Sequence, residues 1–452
     1  MGHMTSLSGF EYYHASLDKH GIQQQLKEHN IPIKILFKKY LSVIRPYLNP
    51  RVTSHPASNI NHHPTLRPVN STNTQIRSGL PALIPPHHKK LFSKIQEINH
   101  KNEMKIATLQ FSPKLGDTAG NIKRADELLK NGGRSTTLGK ANRIEELKPD
   151  ILVLSEMALT GYNFPNLEAV KPYLEEAGMG PCGIWAKETA KKFGCKVCVG
   201  YPEVERSGEG GGKEMYYNSL LVVDEKGEIL ANYRKTFLYY TDETWAAEGD
   251  AGRGFRHISF PRQGQQQQQE VATSFGICMD INPYRFEAPW TAWEFANRIL
   301  DTRSQLVLLS MAWLTHSDRE ELQALHTKPE LGTFNYWVQR LMPLFRRHME
   351  HSSGLGGEDE GEKRMIVVFA NRVGEEEGHG EDKEPVRYAG TSAVLGFSQR
   401  AGSGSGAGSE DGDGIDVKIL CWDIMGATEE GVCFANTGED PEMVFSLAKD
   451  NP

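Results

Sequence analysis

From Met104 onward, short apolar segments alternate with amphipathic ones, and this order constrains the fold more than any other feature of the chain. The segment 104–111 is typical of a strand, the segment 149–156 is a short, continuously apolar strand that ends in an acid, and the segment 117–130 between them has helical spacing. Strands that lack an alternating polar face are usually buried on both sides. The alternation therefore predicts an α/β protein whose helices cover buried sheets.

The same alternation continues toward the C-terminus. The turn residues Asp224-Glu-Lys-Gly227 separate two strand-like segments and indicate a hairpin. We expect helices near 181–193, 290–299 and 333–348, and strands at 196–201, 217–223, 228–233, 271–279, 305–310, 365–371 and 391–397.

Four polar segments interrupt this pattern, near 206–213, 263–270, 353–385 and 400–414. They are rich in Gly, Gln, Glu or Ser, so they cannot bury enough apolar surface to order themselves. We therefore expect solvated insertions in a single domain that spans residues 104–450.

Residues 1–103 differ from the rest in composition. They carry 13 Lys and Arg against 5 Asp and Glu, whereas the remaining residues carry 38 against 53. The opening Met1-Gly-His-Met4 resembles a cloning scar and takes no part in the fold. We expect a mostly disordered N-terminal extension on a cytoplasmic protein, with mitochondrial targeting by the basic extension as the alternative.

Composition excludes several classes of function. The net charge of −7 gives no general case for nucleic-acid binding. An apolar run of about 18 residues, as a membrane span requires, does not occur in the sequence. Six cysteines are too few for a disulfide scaffold, and Cys195-Lys-Val-Cys198 lacks the second ligand pair of a zinc site, so we expect no metal.

Three strand ends carry reactive side chains: Glu156, Lys235 and Cys278. A thiol becomes nucleophilic as a thiolate, a carboxylate can carry the proton, and an ammonium can stabilise an oxyanion. Together these groups provide what amide hydrolysis requires. His316 and His326 are the nearest candidates for a Cys–His pair instead, and neither has a context that favours this.

These residues lie in segments that resemble the three motifs of the nitrilase, or carbon–nitrogen hydrolase, superfamily. Leu154–Tyr162 is similar to its glutamate motif, Tyr233–Leu238 to its lysine motif and Phe275–Asp280 to its cysteine motif. The resemblance covers about residues 104–450. It implies a four-layer α-β-β-α sandwich, catalysis without a metal or organic cofactor, and a monomer or homodimer.

The residues after the cysteine narrow the resemblance. Cys278-Met-Asp280, followed by Asn282-Pro-Tyr-Arg-Phe286, resembles the fungal protein N-terminal amidases. That likeness implies deamidation of N-terminal Asn and Gln to Asp and Glu through a cysteine thioester, with N-degron pathway components as partners beside the peptide substrate. The alternatives are a superfamily amidase or carbamoylase for a small amide, and a non-catalytic scaffold.

The resemblance also implies roles. Glu156 is expected to act as general base and acid, Cys278 as nucleophile, and Lys235 with the backbone N–H of Met279 as oxyanion donors. The superfamily carries a second glutamate soon after the lysine. Glu243 fits its spacing, and Glu248 is the rival.

A substrate with a free α-ammonium requires a carboxylate near the mouth of the pocket. Asp280, two residues from the nucleophile, is the first candidate, and Glu287 is the second. Trp245 and Trp313 are candidate walls of the pocket, with core packing as the alternative role of each.

Overall fold

The structure is a computed structural model, and it describes residues 103–133, 142–206, 213–261, 268–350, 362–379, 383–401 and 415–446. Residues 1–102 and a part of each of the four expected insertions lie outside these residues. The described residues up to Phe445 belong to one compact unit.

Sixteen strands form three sheets within the described ranges. From the N-terminus they are β1 (Lys105–Gln110), β2 (Ile151–Leu154), β3 (Lys196–Arg206), β4 (Glu214–Val223), β5 (Ile229–Arg234), β6 (Phe255–Pro261), β7 (Gln268–Ile277), β8 (Leu306–Ser310), β9 (Leu314–Thr315), β10 (Lys363–Ala370), β11 (Glu375–Glu376), β12 (Val386–Tyr388), β13 (Ala393–Ala401), β14 (Ile415–Ile424), β15 (Gly431–Asn436) and β16 (Met443–Ser446).

Nine α-helices accompany these strands in the part of the chain that the structure describes. They are α1 (Thr118–Asn131), α2 (Ile144–Leu147), α3 (Leu167–Val170), α4 (Pro181–Phe193), α5 (Tyr240–Glu243), α6 (Glu294–Asp301), α7 (Arg319–Leu325), α8 (Leu331–Arg340) and α9 (Pro343–Arg346). None of these helices is both long and apolar enough to cross a membrane.

Two large sheets share a common design. The first has the order β15-β1-β2-β3-β4-β5 and the second the order β16-β14-β13-β10-β8-β7-β6. Each contains three neighbouring parallel strands, β1, β2 and β3 in the first and β7, β8 and β10 in the second. Because parallel strands end at the same edge of a sheet, each sheet presents several strand ends together.

The apolar strands bury both of their faces. In β2, Ile151 and Val153 enter the core between the two sheets, whereas Leu152 and Leu154 enter a second core beneath α1 and α4. This double burial explains why the strand sequence shows no polar alternation.

Helices α6, α8 and α9 cover the outer face of the second sheet. Trp337 of α8 stacks on Phe369 of β10 with ring centroids 4.6 Å apart, and Phe345 of α9 packs on Phe397 of β13 at 5.6 Å. The layers therefore run helix, sheet, sheet, helix, and the predicted four-layer sandwich is confirmed.

Most element bounds agree with the sequence prediction, and α4 agrees at both ends. The single helix expected at 333–348 is instead two, because Pro343 has no N–H to continue α8 and starts α9. The helix expected from Trp290 begins only at Glu294, after a 3-10 turn. The closing strands β14, β15 and β16 were not predicted.

The segment 353–385 is not the uniform insertion that its composition suggested. Its apolar part forms β10, which lies in the middle of the second sheet between β8 and β13. The acidic run that follows forms β11, which joins β12 and β9 in a small third sheet. The strand expected at 365–371 is therefore present as β10, whereas the insertion expected over 353–385 was drawn too wide and hid a buried acid.

The buried acid is Glu376, which fastens the segment that follows β2. Its carboxylate accepts hydrogen bonds from the backbone N–H of Tyr162 at 3.2 Å and of Asn163 at 2.9 Å. It also accepts one from the Tyr388 hydroxyl at 2.5 Å and pairs with Arg372 at 2.7 Å. Both members of the ion pair are buried, so the pair fixes this segment against the third sheet.

Replacing Glu376 by Gln should destabilise the protein by about 3–5 kcal/mol, because the buried charge of Arg372 then lacks its partner. Thermal unfolding of the full chain measures the effect. Glu377→Gln is the matched control, since that neighbouring side chain is exposed, and it should change stability by at most about 0.5 kcal/mol. Equal unfolding temperatures for the two variants would contradict this role of Glu376.

Candidate active site

The ends of β2 and β8 meet across the space between the two sheets. The Ser310 hydroxyl donates to the carbonyl of Leu154 at 3.0 Å, and the N–H of Glu156 donates to the carbonyl of Met311 at 3.3 Å. The junction places residues from both sheets around one buried point, where the predicted triad assembles.

Glu156 is fully buried at this junction, two residues beyond the end of β2. Its backbone lies so close to β3 that a Cβ on Gly200 would approach the Glu156 Cα to 2.9 Å and the Met157 nitrogen to 2.6 Å. The N–H of Ala312 donates to Glu156 Oε2 at 2.9 Å. Glycine in β3 and a backbone donor after β8 therefore fix the position of the carboxylate.

Lys235 follows directly on β5 and is also fully buried. Its Nζ donates to Glu156 Oε1 at 2.6 Å and to Asp242 Oδ2 at 2.5 Å. Its own backbone N–H donates to the carbonyl of Asn218 in β4 at 2.8 Å. The ammonium therefore lies between two carboxylates with no exposure to solvent.

The second acid is Asp242, and the assignment of this place to Glu243 was wrong by one residue. Asp242 is buried, and besides Lys235 it accepts hydrogen bonds from the Tyr239 N–H at 3.0 Å and the Tyr162 hydroxyl at 3.3 Å. Glu243 lies on the exposed side of α5. Together with Glu248 it lines a shallow cleft of about 350 Å³. One helical step of about 100° turns adjacent side chains to different faces, and spacing alone did not resolve this.

Cys278 begins the 3-10 turn that follows β7 and has a positive φ of 39°. Few non-glycine residues adopt this conformation, and it is typical of functional positions held by their surroundings. Cys278 is half-buried, whereas the other five cysteines are fully buried. Cys278 is therefore the cysteine that has surface exposed to solvent.

Burial and charge together set the protonation of the site. Burial raises the pKa of Glu156, Lys235 lowers it and Asp242 raises it again. Burial also raises the pKa of the Cys278 thiol well above its usual value, the Glu156 charge adds to this, and Lys235 and the Ala312 N–H act against it. Burial disfavours the ammonium of Lys235, but Asp242 and Glu156 outweigh it and raise its pKa. The resting site therefore holds a neutral thiol beside a charged lysine.

Asp280 does not face a pocket mouth, contrary to its expected role with the substrate ammonium. Its Oδ1 accepts from the Thr236 N–H, the Thr236 hydroxyl and the Phe237 N–H at 2.7–3.0 Å. Its Oδ2 accepts from the Tyr233 hydroxyl at 2.8 Å and the Ile277 N–H at 2.7 Å. The carboxylate is saturated and joins the lysine segment to the cysteine turn, so its role is structural.

The other predicted residues lie outside the hydrogen-bonded cluster of Glu156, Lys235 and Asp242. Glu287 is exposed in the loop beyond the cysteine turn. Trp245 is buried in an apolar cluster with Tyr162 and Tyr388, which supports core packing. Trp313 is half-buried and packs on Tyr336 with ring centroids 5.3 Å apart. Met279, the expected backbone donor, is buried directly after the nucleophile.

Sequence reasoning missed three contributors to the site: Asn218, Asp242 and the N–H of Ala312. Asn218 did leave a signal, since it and Ser219 are polar residues in the otherwise apolar stretch of β4. The Ala312 N–H left none, because a backbone donor contributes through its position and not through its residue type.

The assembled groups can carry out acyl transfer from an amide. A reachable thiol, a carboxylate of raised pKa and a permanently charged ammonium surround one point. His316 and His326 are exposed, which removes the Cys–His alternative from this site.

Comparison with known proteins agrees with this chemistry. Residues 105–282 match the carbon–nitrogen hydrolase family. A protein N-terminal amidase of Schizosaccharomyces pombe is 33% identical over 310 residues, which are 66% of this chain and 92% of that protein. A protein N-terminal amidase of Saccharomyces cerevisiae is 34% identical over 232 residues, which are 49% of this chain and 48% of that protein.

Solved structures agree on the fold. The crystal structure of an N-terminal amidase with an Asn-Glu-Ala peptide aligns over 74% of this chain and 98% of that chain, at 22% identity and a TM-score of 0.56. One with a Gln-Gly peptide aligns over 74% and 97%, at 22% identity and a TM-score of 0.55. Since the Schizosaccharomyces pombe relative is matched over nearly its whole length, the chain belongs to the carbon–nitrogen hydrolase family and, within it, to the protein N-terminal amidases, as a hydrolase of amide C–N bonds.

Proposed function

We propose that this enzyme deamidates N-terminal Asn and Gln of proteins and peptides, producing Asp and Glu and releasing ammonia. The observation that carries the proposal is the half-buried Cys278 beside the buried group of Glu156, Lys235 and Asp242. Support comes from relatives that are named protein N-terminal amidases and from the similar fold of amidase structures with peptides that begin with Asn or Gln.

The first half of the proposed reaction forms a thioester. Glu156 accepts the proton of Cys278, and the thiolate attacks the side-chain amide carbon. Lys235 and the N–H of Met279 stabilise the oxyanion that develops. The raised pKa of Glu156 brings this carboxylate closer to the thiol in basicity, which favours the transfer over that to an ordinary carboxylate.

The second half returns the proton and releases the product. Glu156 protonates the departing ammonia, whose exit leaves the acyl group on Cys278. Glu156 then deprotonates a water molecule that attacks the thioester, and the proton returns to the thiol as the carboxylic acid leaves. Lys235 keeps its charge throughout, because Asp242 stays paired with it while Glu156 carries the proton.

The product of the proposed reaction implies downstream partners and a location. A new N-terminal Asp or Glu would be recognised by components of the N-degron pathway, which we propose as downstream partners of a cytoplasmic monomer or homodimer. We propose no cofactor, since the side chains of the site supply the nucleophile, the proton carrier and the oxyanion donors.

Peptides that begin with Asn or Gln should gain the mass that accompanies conversion of an amide to an acid and release one ammonia each. N-acetylated versions of the same peptides should not react. Cys278→Ala should lower kcat/KM at least about 10⁴-fold, because the nucleophile is lost. Cys433→Ala is the matched control, since that thiol is buried away from the site. Turnover of free small amides without turnover of peptides would contradict the proposed substrate.

Asp242→Asn should lower kcat about 100-fold, because the lysine that donates to the oxyanion loses one of its two anchoring charges. Glu243→Gln, the adjacent exposed residue, should leave kcat within about twofold. Steady-state kinetics on one peptide compares the two. A larger loss of kcat in the Glu243 variant would instead support Glu243 as the second acid.

The kcat/KM of the enzyme should rise with pH through a pKa above the ordinary glutamate value of 4.5, because burial raises the pKa of Glu156, which must be ionised to accept the thiol proton. Lys235 should cause no decline below about pH 10, since its pKa is raised from 10.5. In Asp242→Asn the acidic limb should move to lower pH, because the charge that raises the Glu156 pKa is removed. A limb at or below pH 4.5 in the parent enzyme would exclude Glu156 as this base.

A further inference from the structure

Asn218 occupies an unusual position for an amide side chain. It lies in β4 and is fully buried, just before the apolar segment Leu220–Val223. Its backbone carbonyl accepts the N–H of Lys235 at 2.8 Å, so the strand pairing already fixes the lysine to this residue. Burial of an amide costs free energy unless the amide forms hydrogen bonds.

Both N–H groups of the Asn218 amide point to acids of the site. Nδ2 donates to Glu156 Oε1 at 2.7 Å and to Asp242 Oδ1 at 2.9 Å. Ionised carboxylates can only accept hydrogen bonds, so the amide nitrogen and not the oxygen must face them. One side chain therefore connects both carboxylates that hold Lys235.

We propose that Asn218 is a positioning residue that sets the two carboxylates at a fixed spacing around the lysine ammonium, so that Glu156 stays ionised and in place for proton transfer from Cys278. The inference rests on the proposed catalytic roles of Glu156, Lys235 and Cys278.

The geometry indicates why such a residue is needed. An ammonium has three N–H donors, and the carboxylates of Glu156 and Asp242 take two of those of Lys235. The two acids carry like charge and repel each other. With Lys235 alone between them, they would move apart or accept hydrogen bonds from other donors. Because Asn218 donates to one oxygen of each acid, it restricts the movement of both carboxylates. Each acid then occupies one N–H of the Lys235 ammonium, and the third N–H is left for the oxyanion.

The groups that face Glu156 define the expected effect on pH dependence. They are Lys235, Asp242, Cys278, Tyr162 and Tyr388. Burial raises the pKa of Glu156, and the hydrogen bond from Asn218 is among the contacts that lower it. Removing this donor therefore raises the pKa, and the acidic limb of any reaction that needs ionised Glu156 moves to higher pH.

The test uses Asn218→Ala, which removes both donors, Asn218→Ser, which keeps one, and Asn218→Asp, which keeps the shape but replaces donors with a third carboxylate. Two readouts are measured against pH: steady-state kinetics on an Asn-leading peptide, and the rate of alkylation of Cys278 by iodoacetamide, followed by intact mass. The other five cysteines are buried, so a single added group reports Cys278.

In Asn218→Ala we expect kcat to fall about tenfold or more with KM within about twofold, and the acidic limb of both readouts to move up by about one pH unit. Asn218→Ser should lie between this variant and the parent. Asn218→Asp should shift the limb furthest, because it adds a negative charge beside Glu156.

The matched control is Asn232→Ala on the neighbouring strand β5. That amide also donates to a carboxylate, Glu203, at 2.9 Å, but it has no contact with the triad. It should lower the unfolding temperature without moving the acidic limb. A limb shift as large as that of Asn218→Ala would show an effect common to lost amide–carboxylate hydrogen bonds and overturn the proposal.

Folded Asn218 variants with an unmoved limb would also overturn it. Failure of all three variants to fold would assign Asn218 to stability and overturn it equally. If the parent enzyme alkylates at Cys278 but does not turn over Asn- or Gln-leading peptides, the proposed substrate fails, while a limb shift in alkylation still supports the positioning role.

Discussion

The ammonium of Lys235 lies without solvent between the carboxylates of Glu156 and Asp242, and the rest of the site depends on this arrangement. Removing charges from water costs several kcal/mol each, and attraction in the interior returns that free energy only with good geometry and further hydrogen bonds. The structure supplies these bonds from Asn218, the Ala312 N–H and the Tyr239 N–H. Since each donor belongs to a different strand or loop, the charge cluster can exist only in the folded sandwich.

The two-sheet architecture explains how such distant residues meet. Glu156 and Lys235 follow strands of the first sheet, and Cys278 follows a strand of the second. Asp280 joins the two sheets, because its carboxylate accepts from the Tyr233–Phe237 segment and from the N–H of Ile277. Glu376 of the third sheet anchors the segment beyond Glu156, because its carboxylate accepts a hydrogen bond from the N–H of Asn163. Asp280, the first sequence candidate for the substrate ammonium, is therefore used to hold the strand ends together.

The sequence pattern predicted the α/β class, most strands and the three strand-end residues Glu156, Lys235 and Cys278, because apolar runs of buried strands and side chains at their ends are local signals. The four layers came from the family resemblance. The prediction failed where a role depends on the direction in which a side chain points. Asp242 and Glu243 are adjacent acids, and only the packing of α5 shows which one turns inward. Asp280 looked free because its five donors come from residues up to 47 positions away. Composition alone assigned residues 353–385 to an insertion, whereas the apolar run at 365–371 correctly predicted β10, which pairs with β8 and β13.

The charge balance of the cluster also accounts for the protonation of the Cys278 thiol. Two carboxylates and one ammonium leave an excess negative charge beside Cys278, and together with burial this keeps the thiol protonated. A neutral thiol resists oxidation and adventitious alkylation, since the thiolate is the reactive form. The same excess charge would disfavour an oxyanion if Glu156 remained ionised. In the proposed reaction, however, Glu156 takes the thiol proton, so the cluster around Lys235 becomes neutral and the negative charge moves to the substrate, where the ammonium can stabilise it. The proposed mechanism therefore couples proton transfer and oxyanion stabilisation through one lysine.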